Sequence, residues 1–158
     1  MSLEKAKAHL ASFGLADKVI EFTVSSATVE LAAQALGCEP AHIAKSILLD
    51  QPDGTVMVLA AGDAKLNNAK FKERFGTKPR MMAYDQVEDA VGHAPGGVCP
   101  FGIKDGVSVW LDESLRRFAV VYPAAGSSNS AIPMTIEELE KASCSLDWVD
   151  VCKLPEIL

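Results

Sequence analysis

Apolar residues recur at three- and four-residue spacing from the start of the chain. Leu3, Ala6, Leu10 and Phe13 share one helical face, with Ser2 as N-cap and Gly14 as the residue that stops the helix. Val29, Ala32, Ala33 and Leu36 repeat the pattern and predict a second helix from Thr28 to Leu36, closed by Gly37. Between them, Val19 to Val24 has the composition of a strand, and Pro40 opens a helical turn through His42 to Ala44. The period then changes. Lys45–Asp50 and Thr55–Ala60 are almost continuously apolar and are joined by Gln51-Pro52-Asp53-Gly54, which predicts a hairpin placed centrally with both faces covered.

Downstream, the pattern predicts a helix over Asn67–Phe75 closed by Gly76, a short strand at Arg80–Met82, and a helix to Val91 started by Asp85 and Glu88 in capping-box spacing. A Gly/Pro-rich loop fills Gly92–Gly102. Strands fit Val107–Leu111 and Phe118–Tyr122, Gly126–Ser130 is loop or edge, Thr135 and Glu138 cap a helix to Ala142, and Trp148–Val151 reads as a last strand. Hairpin and helices interleave without a repeated βα unit. The fold class this predicts is α+β, a single domain over residues 1–158.

Composition narrows the function classes. Hydrophobic residues make up 49% of the 158, which excludes a largely disordered chain. No apolar run approaches the roughly 18 residues of a membrane span, and the first seven residues open an amphipathic pattern, not a secretory segment. A cytoplasmic protein is expected, with no membrane partner. Cys38, Cys99, Cys144 and Cys152 are scattered, as are His9, His42 and His93, so no zinc or redox motif is predicted.

The net charge of −6 argues against a general nucleic-acid binder, and no recognition-helix motif points to DNA. Yet Lys65, Lys70, Lys72, Arg74, Lys78 and Arg80, opposed only by Glu73, give one segment +5 and leave −11 for the rest. Such a stripe either holds a polyanion locally or is a solvated helix face.

Two features break the expected patterns. Lys45 shares a strand face with Ile47 and Leu49, so its ammonium either snorkels to water or turns into a cleft. The loop Gly92-His93-Ala94-Pro95-Gly96-Gly97-Val98-Cys99-Pro100-Phe101-Gly102 combines two adjacent glycines with stiffening prolines, a composition that can aim backbone N–H groups at an anionic oxygen. It is not a phosphate-loop motif. Cys99 invites a nucleophile reading, but no histidine stands at a motif spacing from it. No serine triad, glycosidase carboxylate pair or deaminase signature is present.

Ser25-Ser26-Ala27-Thr28-Val29-Glu30-Leu31-Ala32-Ala33, then Leu36-Gly37, then Ile43-Ala44-Lys45-Ser46-Ile47, and finally Gly96-Gly97-Val98-Cys99-Pro100-Phe101-Gly102 occur in that order. Together they resemble the YbaK/EbsC family of aminoacyl-tRNA deacylases, which is homologous to the editing insertion domain of bacterial prolyl-tRNA synthetase. The resemblance runs from Thr23 to Val151. It implies a curved, barrel-like mixed sheet flanked by helices, with a pocket between the strand bearing Lys45 and the Gly-x-x-x-Pro loop from Gly96 to Pro100.

The activity it implies is hydrolysis of the ester joining a wrong, small amino acid to the terminal adenosine of a tRNA, such as tRNA(Pro), with no cofactor. Lys45, Gly96, Gly97 and Pro100 would then carry the chemistry, and Val98, Cys99, Ser128 and Asn129 would contact the substrate. Lys70, Lys72, Arg74 and Lys78 would hold the RNA, with the acceptor end of aminoacyl-tRNA as partner and an aminoacyl-tRNA synthetase as a second one. Ester hydrolysis needs a stabilised carbonyl oxygen and a positioned water, and no protein general base is evident, which leaves the substrate's own hydroxyl or a loop-held water. The alternative reading is a non-catalytic module on the same scaffold that binds aminoacyl-tRNA, an amino acid or a protein.

Overall fold

The computed structural model describes residues 2–155. Helix α1 (Ser2–Ala11) buries Ala6 and Leu10 and ends earlier than its apolar spacing suggests, in a turn that reaches Gly14 at φ 73°. Of the strand expected at Val19–Val24, only β1 (Ile20–Glu21) forms a ladder, and both its residues are exposed. Helix α2 (Val29–Leu36) follows, with Thr28 not its first residue but its N-cap, accepting from the Leu31 N–H, and with Gly37 closing it at φ 71° as predicted. The turn opened by Pro40 is a single turn of 3₁₀ helix, Pro40–His42.

The hairpin is the centre of the molecule. Strand β2 (Ile43–Gln51) pairs antiparallel with β3 (Gly54–Ala61), in register from Ala44 opposite Ala61 to Gln51 opposite Gly54. Residues Met57 to Ala61 are all inaccessible to solvent, the burial on both faces that their unbroken apolar run predicts. Strand β4 (Lys65–Leu66) and helix α3 (Asn68–Phe75) come next, with Asn67 as N-cap and Gly76 as the left-handed C-cap.

Arg80–Met82 makes only one bridge, Leu49 to Met81, because β2 has its other partners elsewhere along its length. The capping box at Asp85 and Glu88 is not formed. Residues Tyr84–Gln86 make a 3₁₀ turn whose extended N-cap is Ala83, which takes Asp85 into helical backbone, and α4 (Val87–Val91) starts without a side-chain cap.

Beyond the Gly/Pro-rich loop, β5 (Val107–Asp112) lies parallel to β3. The next ladder, β6 (Val120–Pro123), begins later than Phe118 because Phe118 caps the 3₁₀ turn Glu113–Arg117. Strands β7 (Ser130–Ala131) and β8 (Met134–Thr135) precede α5 (Ile136–Ala142), whose capping box is present in full at Thr135 and Glu138.

The strand expected at Trp148–Val151 is split into β9 (Asp147–Val149) and β10 (Cys152–Lys153). Asp112 explains the break. It is 1% exposed, and its carboxylate accepts from the N–H groups of both Ser114 and Val151 at 2.9 Å, which pulls the chain out of the ladder.

The main sheet has the order β8-β6-β2-β3-β5-β9 and curls into a half-barrel. Two further two-stranded ladders, β1 with β7 and β10 with β4, form beside it. One large core joins the sheet to α1, α3, α4 and α5, while α2 rests on a small separate cluster of Ala32, Ala33 and Ile43. The fold is therefore mixed α+β. Among the described residues, no helix is long and apolar enough to cross a membrane.

Candidate active site

A cleft of about 370 Å³ opens where β2, the start of α2, the Met81–Val87 segment and the Gly/Pro-rich loop meet. Residues Ile43–Leu48 form its floor, and Lys45, Gly96 and Val98 all line it. Two stretches some fifty residues apart in sequence are thus brought to one cavity by the pairing of β2 within the sheet.

Lys45 neither snorkels nor hangs free. Its Nζ donates to the carbonyl of Gly62 at 3.3 Å and to that of Ala64, at the turn that leaves β3. That turn is fixed by close packing: a Cβ on Gly62 would lie 2.0 Å from the Pro40 carbonyl oxygen and 2.8 Å from Val29. An ammonium has three N–H donors, so two carbonyl partners leave one for a ligand. Burial lowers the Lys45 pKa below its ordinary 10.5, opposed by the nearby Cys152, Asp63 and Glu30. Asp63 is itself clamped by Arg117 at 3.1 and 2.5 Å, and that guanidinium holds its carboxyl below the usual range.

The glycine loop divides its labour. The Gly97 N–H is spent on the Ala94 carbonyl at 3.1 Å, which closes the turn. Gly97 is buried against the 126–127 backbone, where any Cβ would approach Ser127 N to 2.7 Å. Gly96 has φ +93° and sits 3.1 Å, by its would-be Cβ, from Ala27. The N–H groups of Gly96 and Val98 have no backbone partner among the described residues, and both residues line the cleft. They are the loop donors free to meet an oxygen anion.

Pro100 and Cys99 lie behind the loop, fully buried. Burial pushes the Cys99 thiol up to about 12, and its sulfur faces His93 Nε2 at 3.5 Å and the Phe101 carbonyl, not the cleft. A thiol so held is not ionised at neutral pH and is no nucleophile. The histidine that sequence spacing left unconnected to Cys99 is its neighbour, but as a core residue bound to the Phe101 carbonyl at 2.7 Å.

Ser128 and Asn129 are exposed and lie outside the cleft lining. Asn129 clasps the N-terminal segment: its side-chain amide donates to the Phe22 carbonyl at 3.0 Å, and its backbone carbonyl accepts the Phe22 N–H at 2.7 Å. The Ser128 carbonyl receives the Ser26 N–H at 2.6 Å. This segment builds a wall from behind, and the residue it presents to the cleft is Ser130.

Of the basic stripe, Lys70 pairs with Asp150 at 3.0 Å and with the Cys152 carbonyl. Arg74 lies over the Trp110 ring at 5.0 Å with Asp147 at 3.9 Å. Lys72 and Lys78 are exposed, and neither has an ion-pair partner among the described residues.

Two features of the cleft escaped the reading of the sequence. The Ser46 hydroxyl in its floor is buried and has no hydrogen-bond partner among the described residues. Its position beside Lys45 was a usable signal, since a serine in an otherwise apolar strand needs a partner. Met81 and Tyr84 at its mouth carried no local signal of a site, because their segment reads only as a short strand at Arg80–Met82 and the approach to the next helix.

A model of the family described as the aminoacyl-tRNA editing domain matches residues 23–142. The chain belongs to that family. The editing domain is 46% identical over 154 residues to an uncharacterized protein, YwhH, of Bacillus subtilis (strain 168), covering 97% of this chain and 98% of that one. It is 33% identical over 122 residues to a proline–tRNA ligase of Shouchella clausii (strain KSM-K16), a match that takes in 73% of this chain and 21% of the ligase. The likeness to the ligase is thus confined to about a fifth of its length. Among solved structures, a protein described as a proposed trans-editing enzyme for prolyl tRNA synthetase superposes with a TM-score of 0.86 at 28% identity, over 96% of this chain and 97% of that one.

Proposed function

We propose that this editing domain is a trans-editing deacylase that hydrolyses the ester of a small amino acid wrongly attached to tRNA(Pro), with the unpaired acceptor end as the part of the RNA it engages. The observation that carries the reading is a single cleft lined by Lys45, whose ammonium is tethered with one donor to spare, and by Gly96 and Val98, whose N–H groups have no backbone partner among the described residues. Family membership and the likeness to a proposed trans-editing enzyme support it.

In this reading the Gly96 and Val98 N–H groups receive the carbonyl oxygen as it gains negative charge, where prepositioned donors act most strongly. The remaining donor of Lys45 holds the ester or the adjoining phosphate. Water attacks the carbonyl carbon, the C–O bond to the ribose breaks, and the ribose oxygen leaves with a proton. No side chain in the cleft is placed as an obvious base, so the attacking water gives its proton either to the vicinal ribose hydroxyl, which passes its own proton to the leaving ribose oxygen, or to the neutral amino group of the substrate, which then protonates that oxygen. The serine hydroxyls of Ser46 and Ser130 set how much polarity the amino-acid side chain meets.

The test is release of free amino acid from a panel of mischarged tRNAs incubated with the purified protein. Turnover of a small aminoacyl-tRNA(Pro) is the expected result. Binding of the same RNAs without release of amino acid would instead establish the non-catalytic reading.

A further inference from the structure

Two large side chains at the mouth of the cleft are left in water. Tyr84 is 79% exposed and Met81 is 63% exposed, yet both line the cavity. The backbone beneath them is held firmly. The Asp50 N–H donates to the Arg80 carbonyl at 2.8 Å, the Met82 N–H to the Leu48 carbonyl at 3.1 Å, and the Gln86 N–H to the Ala83 carbonyl at 2.9 Å. The rim is thus an extension of the β2 edge that presents an aromatic face to solvent.

The dimensions say what that face is for. From Lys45 to Leu49, the residue bridged to Met81, β2 advances about 14 Å. The volume of about 370 Å³ falls in the range of pockets that enclose a drug-sized ligand, more than a small aminoacyl group fills. With the ester at the Lys45 end, the chemistry left for the Tyr84 end is the nucleoside to which the amino acid is joined. Charge agrees on the direction in which the chain would leave. Lys78, with no ion-pair partner among the described residues, precedes the rim, and Arg80 beside it faces Asp50 at 3.6 Å, whereas Asp85, Glu88 and Asp89 follow it, so a phosphodiester is drawn toward the Lys78 side.

We propose that Tyr84, with Met81 beside it, is the platform on which the base of the 3′-terminal nucleotide of the RNA stacks. The proposal rests on the deacylase reading above and names the residue that positions its substrate. Unpaired bases are commonly bound by stacking on exposed aromatic rings, a contact indifferent to the phenol hydroxyl.

The test uses an uncharged acceptor-stem RNA hairpin whose terminal adenosine is replaced by 2-aminopurine. Stacking quenches its fluorescence on binding to the wild-type protein. Tyr84→Phe is expected to keep the quench, and Tyr84→Ala to lose it and weaken binding about tenfold. In turnover of a mischarged tRNA, Tyr84→Ala should raise KM by a larger factor than it lowers kcat. An unquenched probe on the wild type, or equal quenching and affinity in Tyr84→Ala, overturns the platform. The two readings fail separately: a Tyr84-dependent quench without release of amino acid from any charged tRNA sinks the deacylase and keeps the platform, and turnover unaffected by Tyr84→Ala does the reverse.

Discussion

Lys45 shows how far one residue's role depends on partners remote in sequence. Its ammonium is tied to Gly62 and Ala64, so it serves both the β3–β4 turn and the cleft. Lys45→Ala is expected to lower deacylation at least a hundredfold and to cost about 1–3 kcal/mol of stability, since Ala64 is fully buried and its carbonyl loses a donor. Lys45→Arg keeps the charge but replaces a compact donor with a planar fork, so partial activity is expected. Initial rates and denaturant unfolding of the same preparations check both. Full activity in Lys45→Ala would remove the lysine from the mechanism.

His93 gives a second prediction at this scale. It is fully buried, and burial lowers its pKa below the ordinary 6.5, only partly opposed by its bond to the Phe101 carbonyl. The unfolded chain therefore takes up this proton at a higher pH than the folded one. Stability is complete above about 6.5 and falls as the pH drops from there through the lowered folded value. The carboxylates with lowered pKa values, Asp63 and Glu138, lose their contribution further down, below the ordinary 3.8 and 4.5. A His93→Gln variant should accordingly show a flatter unfolding free energy between about pH 4.5 and 6.5. A slope equal to that of the wild type would assign the titration elsewhere.

At the scale of elements, the glycine loop works because two backbones touch. Gly97 abuts the 126–127 segment, so Gly97→Ala must push two loops apart and is expected to destabilise the protein by about 1–3 kcal/mol. Gly96→Ala comes no nearer than 3.1 Å to any neighbour, the Ala27 methyl, and its cost comes mainly from holding φ at +93°. Thermal unfolding ranks the two. Comparable midpoints would mean that the loop relaxes freely and does not hold the Gly96 and Val98 N–H groups in place. The loop was legible in sequence as unusual, by Gly96-Gly97 between prolines. That Gly97 serves packing while Gly96 serves the cleft was not legible, because the partner backbone lies thirty residues further on.

On the scale of the whole molecule, charge is the property that matters for a polyanionic partner. The +5 stripe is partly consumed within the fold, with Lys70 and Arg74 facing Asp150 and Asp147. Lys72→Gln with Lys78→Gln should therefore reduce RNA affinity and the slope of log affinity against log salt more than Lys70→Gln with Arg74→Gln, because only unpaired cations displace counterions from the RNA. Binding isotherms at several salt concentrations decide it. Identical slopes for both double variants would show that the stripe does not face the RNA.

What the sequence determined by itself is whatever depends on near neighbours. The capping box at Thr135 and Glu138, the stops at Gly37 and Gly76, and the central β2–β3 hairpin follow from patterns within a few residues, since helix ends and tight turns satisfy their own backbone groups locally. Strand limits at the sheet margins did not, because a ladder lasts only as long as its partner. β1 keeps two residues, Arg80–Met82 one bridge, and Asp112 breaks the final strand by capturing the Val151 N–H from the end of β5. The same division holds for the cleft. Lys45 and the glycine loop were visible as local anomalies, whereas the unpartnered Ser46 hydroxyl, the free N–H groups of Gly96 and Val98 and the exposed rim at Tyr84 acquire meaning only from what tertiary packing brings, or does not bring, within hydrogen-bonding reach.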